Sequence, residues 1–520
     1  MSNLFAIKPP DWLIAESRRE DTHSLKRALG PVNLMSLGIG AIIGAGIFVL
    51  TGTVAAQAAG PAVVLSFVLS GLGCAFAGLC YAEFASMIPI AGSAYSYGYA
   101  TLGEIFAWII GWDLILEYAF GSSTVASGWS GNLNLLLQHL GWALPPQLTD
   151  APGALLVQYQ GFWQSATNLP PGVSIAGLPA IHAVFNLVAF LVIMGITLVL
   201  VVGIKESANI NSVIVVVKLA TVMIFIGVAA IYVFQHPSVA LSNWHPFIPP
   251  NQGTFGQFGW SGIARGASLV FFAYIGFDAV STTAQEARKP QRDMPLGILG
   301  SLAICTVLYI ITAGLLTGVV NYTRLQVAAP VAVGIEATGV RWGTYVVLIG
   351  TILGLTSTMM VMLLGQSRIL FAMSRDGLLP RWAGAIHPRF RTPWIATLVV
   401  GTFVALFGSL FSLVWLVELC SIGTLLAFVI VCCGVLVLRR KRPDLPRPFR
   451  TPFVPLVPVL GIIICLLMMY SLPFGAKVRL VVWLLIGFAI YFGYGRKHSL
   501  VQKGLKPEAV SSDEPTMVGR

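Results

Sequence analysis

The chain has 520 residues, of which 56% are hydrophobic and only 10% charged, and its formal net charge is +11. This composition lies far outside the range of soluble proteins and excludes an ordinary water-soluble domain. A helix needs about 20 apolar residues to cross the hydrocarbon core of a bilayer, so we expect an all-α, polytopic membrane protein.

Twelve apolar segments are long enough to be membrane spans. In chain order, spans 1 to 12 cover residues 34–57, 62–87, 98–128, 181–203, 208–233, 262–285, 296–320, 343–373, 394–413, 415–437, 454–472 and 480–495. With a cytoplasmic N-terminus, 25 of the 31 Lys and Arg residues are cytoplasmic and 4 lie in outer loops. Positive residues stay on the cytoplasmic side, so we expect a multi-pass protein of the cell (cytoplasmic) membrane with both termini inside. The positive charge therefore reflects topology, and we expect no nucleic acid partner.

The predicted organisation has five parts. Residues 1–33 form a cytoplasmic segment without the features of a signal peptide, and residues 496–520 form a cytoplasmic tail that is too polar to fold. Residues 34–234 contain spans 1 to 5, residues 262–437 contain spans 6 to 10, and residues 454–495 contain spans 11 and 12.

Catalytic and metal-binding motifs are missing from the sequence. It has no GxxxxGK[ST] phosphate loop and no His/Cys/Glu cluster with metal-ligand spacing, which argues against an ATP-driven pump. The seven cysteines all lie in predicted spans, where they suit small apolar fillers better than disulfides. We therefore predict no enzyme activity, no metal and no cofactor apart from a coupling proton.

Span 1 contains an unusual number of glycines for a membrane helix. The stretch "GIGAIIGAGIFVLTG", residues 38–52, has five, and each costs a helix roughly 1 kcal/mol relative to alanine. Span 6 has its own interruption in "FFAYIGFD", residues 271–278, where Asp278 is suited to N-cap a new half-helix. Breaks five helices apart are typical of a five-plus-five inverted repeat whose broken helices build a midplane site. Close helix packing is the alternative explanation of the glycines.

Several segments carry a family resemblance, in order, from about residue 28 to 475. They are the span 1 stretch quoted above, "YAEFASMIPIAGSAYSY" (81–97), "GIKESANIN" (203–211), "FFAYIGFDAVSTTAQEARKPQRDMPLGI" (271–298) and "QSRILFAMSRDGLLP" (366–380). The chain resembles the amino acid, polyamine and organocation (APC) superfamily, most closely bacterial members of the cationic amino acid transporter family. The resemblance implies a LeuT-like fold of twelve helices that carries free amino acids by alternating access, usually with protons.

The breaks in spans 1 and 6 supply backbone groups for both ends of an amino acid. A helix opened around Gly44, Ala45 and Gly46 presents N–H groups and a partial positive charge to the α-carboxylate. Freed carbonyls can accept from the α-ammonium. The residues that complete this predicted site are Ile42, Ile43, Phe272, Ala273, Ile275 and Gly276.

Selectivity for the substrate side chain must come from other residues. Glu117 is an intramembrane carboxylate, which is a functional candidate by default and would favour cationic substrates. A structural hydrogen bond between helices is its alternative role. Met362 could cap the side-chain pocket and favour small or neutral substrates, or it could simply pack.

Three other membrane charges have more structural interpretations. Glu83 and Asp113 lie nearer the cytoplasmic half, where we expect them to tie loops or helix ends. Arg265 lies towards the outside, and both an outer-vestibule gate and a snorkelling surface arginine fit its position.

Lys218, in "NSVIVVVKLATVMIFIG", is the predicted proton-coupling residue. It lies about 15 Å into span 5, where a charged lysine costs at least about 2.5 kcal/mol on insertion scales. The resemblance places it beside spans 1 and 8, where sodium-coupled relatives hold an ion. Its ammonium would contact a freed span 1 carbonyl and the hydroxyl of Thr356, Ser357 or Thr358. A permanently charged structural lysine is the alternative.

The sequence thus predicts a secondary transporter that imports amino acids, most simply by proton symport. An amino acid or polyamine exchanger is the main alternative, and a channel or a transport-dead sensor on the same fold is a further one. The expected partners are the amino acid substrate and the lipid bilayer.

Overall fold

The structure is a computed structural model that describes residues 4–9, 29–88, 93–159, 161–166, 169, 173–203 and 207–504. Most of the predicted cytoplasmic tail, Lys205 and residues 89–92 lie outside the described residues. The described chain is mostly helical, as predicted. Eight of its helical stretches are long and apolar enough to cross a membrane, and four shorter apolar helices of 10–17 residues accompany them.

Continuous helices occupy ten of the predicted spans. For spans 2 to 5 they are Val63–Met87, Glu104–His139, Leu187–Val202 and Ser207–Gln235, and for spans 7 to 12 they are Pro290–Val319, Arg341–Arg375, Trp394–Leu410, Leu413–Lys441, Leu456–Ser471 and Phe474–Ile490. Shorter helices connect them at Ser93–Thr101, Pro237–Asn243, Pro330–Ala337 and Arg496–His498.

The predicted start of span 3 at residue 98 is wrong. Its helix begins at Glu104, because the chain turns at Gly103, whose φ of +105° favours glycine. A Cβ at Gly103 would also lie 2.7 Å from the backbone of Phe5. The helix then continues past the predicted end at residue 128 to His139.

A small β-sheet, which was not predicted, lies in the long outer loop after span 3. Strands β1 (Leu155–Tyr159), β2 (Phe162–Ser165) and β3 (Ala180–His182) form an antiparallel sheet in the order β2-β1-β3. Leu156 and Val157 of the central strand are buried, whereas the other strand residues are partly or fully exposed.

Span 1 is interrupted where the glycines predict it. Its first half is the helix Pro31–Ile42, and the chain bends at residues 43–44. Beyond the bend, the second half begins with a π-helical turn at Gly46–Leu50. It continues through Thr51–Val54, Ala55–Ala59 and Gly60–Ala62 into span 2.

Span 6 is interrupted as well. The helix Gly259–Val270 tightens into a 3₁₀ turn at Phe271–Tyr274, and a turn at residues 275–277 follows. A second 3₁₀ segment, Asp278–Glu286, completes the span. Both predicted breaks are therefore present.

The span 3 helix lies at the centre of the molecule. It packs against spans 8 and 10, while span 7 packs against the first half of span 1 and against span 2. In an apolar 18-residue stretch of each helix, 83% of the residues are buried in span 3 and 89% in span 6, compared with 22% in span 12. The broken helices are thus enclosed by protein, where an interrupted backbone can be tolerated.

The predicted cytoplasmic end carries well-paired acids. Glu83 accepts from Nη2 of Arg439 at 2.6 Å and from the N–H of Thr451 at 2.8 Å, and Arg447 lies 3.4 Å from it. The structural role expected for Glu83 is confirmed. Glu104 accepts from the hydroxyls of Tyr99, Tyr491 and Ser499 and from the amide of Gln502.

Candidate substrate site

The two breaks touch each other through their backbones. A Cβ at Gly46 would collide with the backbone of Ala273, so only glycine allows this approach. Gly276 has a φ of +117°, and a Cβ there would lie 3.0 Å from the backbone of Ala41. Both explanations of the glycines therefore hold. They allow the helices to be interrupted, and they allow the two interrupted segments to pack closely against each other.

The bend in span 1 leaves amide donors free. The N–H of Ile43 still donates to the carbonyl of Ile39 at 2.9 Å. Among the described residues, no backbone carbonyl accepts from the N–H groups of Gly44, Ala45 or Gly46. Three unpaired donors at the start of a half-helix form an anion-binding arrangement of the kind expected for a carboxylate.

The predicted carbonyl acceptors are less free than expected. The hydroxyl of Tyr309 lies 2.8 Å from the carbonyl oxygens of both Ile42 and Ala273, and so bridges the two breaks. The carbonyl of Phe272 accepts from the N–H of Ile275 at 3.2 Å. Each carbonyl has two lone pairs and can still accept a second bond. Sequence reasoning missed Tyr309, and a phenol inside the apolar span 7 was the available signal.

Lys218 connects three spans at the bend. Its Nζ donates to the carbonyls of Gly40 at 2.6 Å and Ile43 at 2.9 Å and to the hydroxyl of Thr358 at 2.9 Å. An ammonium has three N–H donors, and each has an acceptor here. The lysine is fully buried, so the contact replaces its lost hydration.

Only one of the three candidate hydroxyls meets the lysine. The Thr358 hydroxyl accepts from Nζ of Lys218 and donates to the carbonyl of Ile43 at 3.1 Å. Thr356 points elsewhere, accepting from Nε1 of Trp129 at 3.0 Å. The hydroxyl of Ser357 is buried and has no hydrogen-bond partner among the described groups.

Glu117 is fully buried beside the site. Neither of its carboxylate oxygens has a donor at hydrogen-bond distance and angle among the described groups. Thr424, whose hydroxyl donates to the carbonyl of Cys420 at 3.0 Å, lies next to it. Asp278 is close enough to interact with Glu117 electrostatically. Within the described part of the chain, Thr424 of span 10 is thus the neighbour in place to form the structural interhelical contact expected as the alternative role of Glu117.

The predicted capping role of Asp278 is wrong. Phe277 holds the cap position, without a side-chain cap, and Asp278 is the first residue of the 3₁₀ segment. One oxygen of Asp278 accepts from the hydroxyl of Tyr118 at 3.5 Å, and the other has no described partner. The contact with Tyr118 links the start of this 3₁₀ segment to span 3.

Asp113 does not make the structural tie expected of it. Both of its oxygens are buried without a hydrogen-bond partner among the described groups. It lies one helical turn before Glu117 on span 3, so the two carboxylates share one face of that helix.

Met362 is buried between helices next to the site. Its sulfur would lie 3.0 Å from a Cβ at Gly121, one turn beyond Glu117 on span 3, and Cys420 borders the same position. The glycine makes room for the thioether. Met362 is therefore placed where a change in its size alters the space between spans 3, 8 and 10.

Arg265 lies away from the breaks, near the outer ends of the spans. Its Nη2 is 3.9 Å from Glu418, which also binds Arg479 at 2.6 Å. The side chain is 26% exposed. The ion pair with Glu418 therefore holds the Arg265 guanidinium. A snorkelling arginine would instead extend freely into water.

An outer cavity of about 670 Å³ leads towards the bend. Its lining includes Val49 and Thr53 of span 1, Gly128 of span 3 and Asp150 of the outer loop. Burial raises the pKa of the Asp150 carboxyl, and the N–H of Ala151, which donates to it at 2.7 Å, acts in the opposite direction. The cavity therefore reaches the second half of span 1, beyond the bend.

Comparison with known proteins places these features in a family. The family model described as "Amino acid permease" matches residues 29–494. The chain is similar to the branched-chain amino acid permease BcaP of Bacillus subtilis, with 47% identity over 96% of this chain and 98% of the relative. It is 44% identical to the methylthioribose transporter of the same organism, over 97% and 100% of the two chains. It is 37% identical to the vacuolar cationic amino acid transporter 4 of Arabidopsis thaliana, over 82% and 66%.

Proposed function

Because the chain belongs to the amino acid permease family of the APC superfamily, we propose that it imports neutral amino acids through the cell membrane by proton symport and alternating access. The superfamily resemblance is confirmed, and the family and its relatives are transporters, not enzymes. A branched-chain permease from a second organism, Lactococcus lactis, is 36% identical over 92% of this chain, which supports a neutral aliphatic substrate.

The observation that carries the proposal is the bend in span 1. Its unpaired N–H groups at Gly44, Ala45 and Gly46 suit the α-carboxylate that all amino acids share. The bridged carbonyls of Ile42 and Ala273 retain one lone pair each for the α-ammonium. Backbone groups recognise only the parts that all amino acids share. The residues around the substrate's side chain, including Met362, therefore determine which amino acids bind.

Proton coupling is proposed from the contacts of Lys218. The protonated amine ties the Gly40 and Ile43 carbonyls of span 1 to Thr358 of span 8. A neutral amine has two donors and one lone pair, so it keeps both carbonyls and Thr358 only if the Thr358 hydroxyl donates to it and gives up its own bond to the Ile43 carbonyl. Deprotonation would therefore weaken the link that holds the first half of span 1 in place. We propose that this step opens the inner side and releases the substrate.

The wider architecture is proposed on the same basis. Breaks in spans 1 and 6 that meet at the centre support a LeuT-like, five-plus-five inverted repeat within twelve spans. The distribution of Lys and Arg supports cytoplasmic termini. Under this arrangement, the cavity at Asp150 is the outer entrance.

A second candidate substrate is methylthioribose, since a relative that aligns over 97% of this chain is named for its transport. A thiosugar has neither a carboxylate nor an ammonium group. It would engage the same backbone groups through neutral hydroxyls and would gain less from the partial charge of the half-helix. An exchanger remains the second candidate mechanism.

The test is uptake into proteoliposomes under an imposed pH gradient. We expect accumulation of labelled leucine, isoleucine or valine when the outside is acidic, without sodium and without substrate inside. Arginine, lysine and methylthioribose serve as competitors in parallel assays. Accumulation that requires sodium, or that requires preloaded substrate, would contradict symport with protons. Strong competition by methylthioribose alone would reassign the substrate.

A further inference from the structure

Basic residues are scarce on the outer side but gather at one corner. The predicted topology gives the outer loops only four Lys and Arg residues, two of which are Lys477 and Arg479. Arg265, near the start of span 6, joins them, because Glu418 contacts Arg265 and Arg479. Three cations and one acid leave this corner with a net charge of +2.

The three cations differ in how many of their N–H donors already make hydrogen bonds. Arg479 donates to Glu418 at 2.6 Å and to the carbonyls of Gly475 and Trp415, and it lies over the Trp415 ring at 4.7 Å. Arg265, in contrast, reaches Glu418 only at 3.9 Å. Its Nε is buried and has no hydrogen-bond partner among the described groups. The Arg265 side chain also lines a cavity.

The cavity has a volume of about 240 Å³, and its lining includes Arg265, Lys477, Phe255, Tyr470 and Phe474. Lys477 donates to the carbonyl of Tyr470 at 2.7 Å and lies 4.8 Å from that ring's centroid. An ammonium has three donors, so this contact leaves capacity for a further acceptor. Two cations therefore face one cavity with donors to spare.

The rim of the cavity is aromatic and exposed. Phe255, Tyr470 and Phe474 are 58%, 68% and 78% exposed, values that would be unfavourable for such residues in water. Aromatic side chains are enriched at the level of the lipid headgroups, where their rings meet the boundary between water and hydrocarbon. Apolar side chains of spans 11 and 12 are also exposed, among them Ile463, Leu467 and Val481. This exposure is expected of a surface that faces lipid tails.

We propose that this cavity, the outer lipid site, binds the phosphate of an anionic phospholipid in the outer leaflet. The guanidinium of Arg265 and the ammonium of Lys477 supply charge-assisted hydrogen bonds to phosphate oxygens. The exposed rings of the rim contact the glycerol region, and the acyl chains lie along spans 11 and 12. Glu418 keeps Arg265 aimed at the cavity while leaving the net positive charge that selects an anion.

The experiment compares lipids by the thermal stability of the detergent-solubilised protein. We expect phosphatidylglycerol to raise the unfolding temperature more than phosphatidylcholine, and to remain bound in native mass spectrometry. In the double variant Arg265→Gln/Lys477→Gln, the phosphatidylglycerol concentration for half-maximal stabilisation should rise about 30-fold, because two basic groups are lost. The matched control is Arg324→Gln/Arg341→Gln, which removes two outer-loop cations that do not belong to this corner.

Three outcomes would overturn the proposal. The first is an unchanged lipid requirement in the double variant, and the second is equal stabilisation by phosphatidylcholine. The third is protection by inorganic phosphate or glycerophosphate equal to that by phosphatidylglycerol, which would assign the cavity to a soluble anion. Should the double variant fail to fold, Lys477→Gln alone provides the same comparison, with an expected change of about fivefold.

Discussion

Buried carboxylates have different surroundings at the predicted cytoplasmic end and at the helix breaks. At the cytoplasmic end, Glu83 and Glu104 each meet several donors at hydrogen-bond distance. Near the breaks, Glu117 and Asp113 meet none among the described groups. A buried acid without partners costs folding free energy, whereas a paired one maintains the fold. Unpaired ionisable groups inside a membrane protein mark functional sites. The acids near the breaks are therefore the functional candidates, and the paired acids are structural.

Substitutions at the two levels should therefore have opposite consequences. Side-chain substitutions near the breaks should change transport and keep the fold, and substitutions of the paired acids at the predicted cytoplasmic end should lower stability first.

The largest effect is expected for Lys218→Ala. It removes the donor that links Gly40, Ile43 and Thr358, so we expect gradient-driven accumulation to fall to background while substrate binding survives. Proteoliposome uptake and substrate-induced thermal stabilisation separate the two. Thr358→Val is the matched control, since it removes one acceptor and keeps the amine, and we expect it to weaken coupling less. Accumulation with normal pH dependence in Lys218→Ala would refute the role.

The next effect concerns the anion-binding bend. Replacing either Gly44 or Gly46 with a bulky residue should abolish amino acid binding, but Gly46→Val also collides with Ala273 and should destabilise the fold. Gly44→Val is the cleaner variant, because a Cβ there lies 3.1 Å from the side chain of Thr358 and not against backbone.

For Gly44→Val we expect a folded protein, judged by size-exclusion chromatography, that substrate no longer stabilises thermally. Persistent stabilisation by substrate would remove this bend from the site.

Glu83→Gln tests the cytoplasmic end. The change leaves the buried Arg447 and the partly buried Arg439 without their counter-charge, so we expect a loss of about 3–5 kcal/mol in the free energy of unfolding. Denaturant unfolding in detergent measures it. Transport per folded molecule should change little, and a specific transport defect at unchanged stability would contradict the distinction between the two levels.

Glu117→Gln should have the reverse effect. Removing an unpaired carboxylate should leave stability unchanged or raise it slightly, while the pH profile of uptake shifts. Only a substrate-facing carboxylate should alter competition by arginine and lysine more than competition by leucine. Asp113→Asn removes the other unpaired carboxylate, one turn away on the same helix, and shows whether the effect belongs to Glu117 alone or to both acids. Identical profiles for both variants and the parent would leave Glu117 without a functional role.

The smallest effect is expected for Met362→Ser. Shortening the side chain beside Gly121 enlarges the space between spans 3, 8 and 10, so larger substrates such as arginine or lysine should compete better than in the parent. Competition assays with a substrate panel measure this, with Met359→Ser on the same helix as control. An unchanged panel would assign Met362 to packing.

Hydrophobicity and glycine content were sufficient to predict the helical spans and the two breaks, because both depend on local sequence. The start of span 3 was predicted too early, since an apolar window does not register the positive φ of Gly103. The outer β-sheet was missed for a similar reason. Its strands have only three to five residues and gain their stability from pairing across the loop, not from a strong local pattern.

The site itself was less predictable, because its contacts join distant spans. The sequence placed a hydroxyl near Lys218, but the rotation of span 8 decides that Thr358 and not Thr356 makes the contact. The bridge formed by Tyr309 depends on how span 7 packs against two breaks. Likewise, whether Glu117 has a partner depends on neighbours contributed by spans 6 and 10.

Both ends of the described chain bind to the same corner of the protein. Near the N-terminus, the carbonyl of Ala6 accepts from the N–H of Glu104 at 2.9 Å, and Lys8 lies 3.1 Å from Asp376. Near the C-terminus, Leu500 donates to the carbonyl of the same Asp376 at 3.1 Å. In the proposed transport cycle, a rearrangement that parts these ends of spans 3 and 8 would pull on the segments around Lys8 and Leu500 together. Fluorophores attached within these two segments would then report the proposed inner opening as a change in energy transfer, without a label inside the membrane.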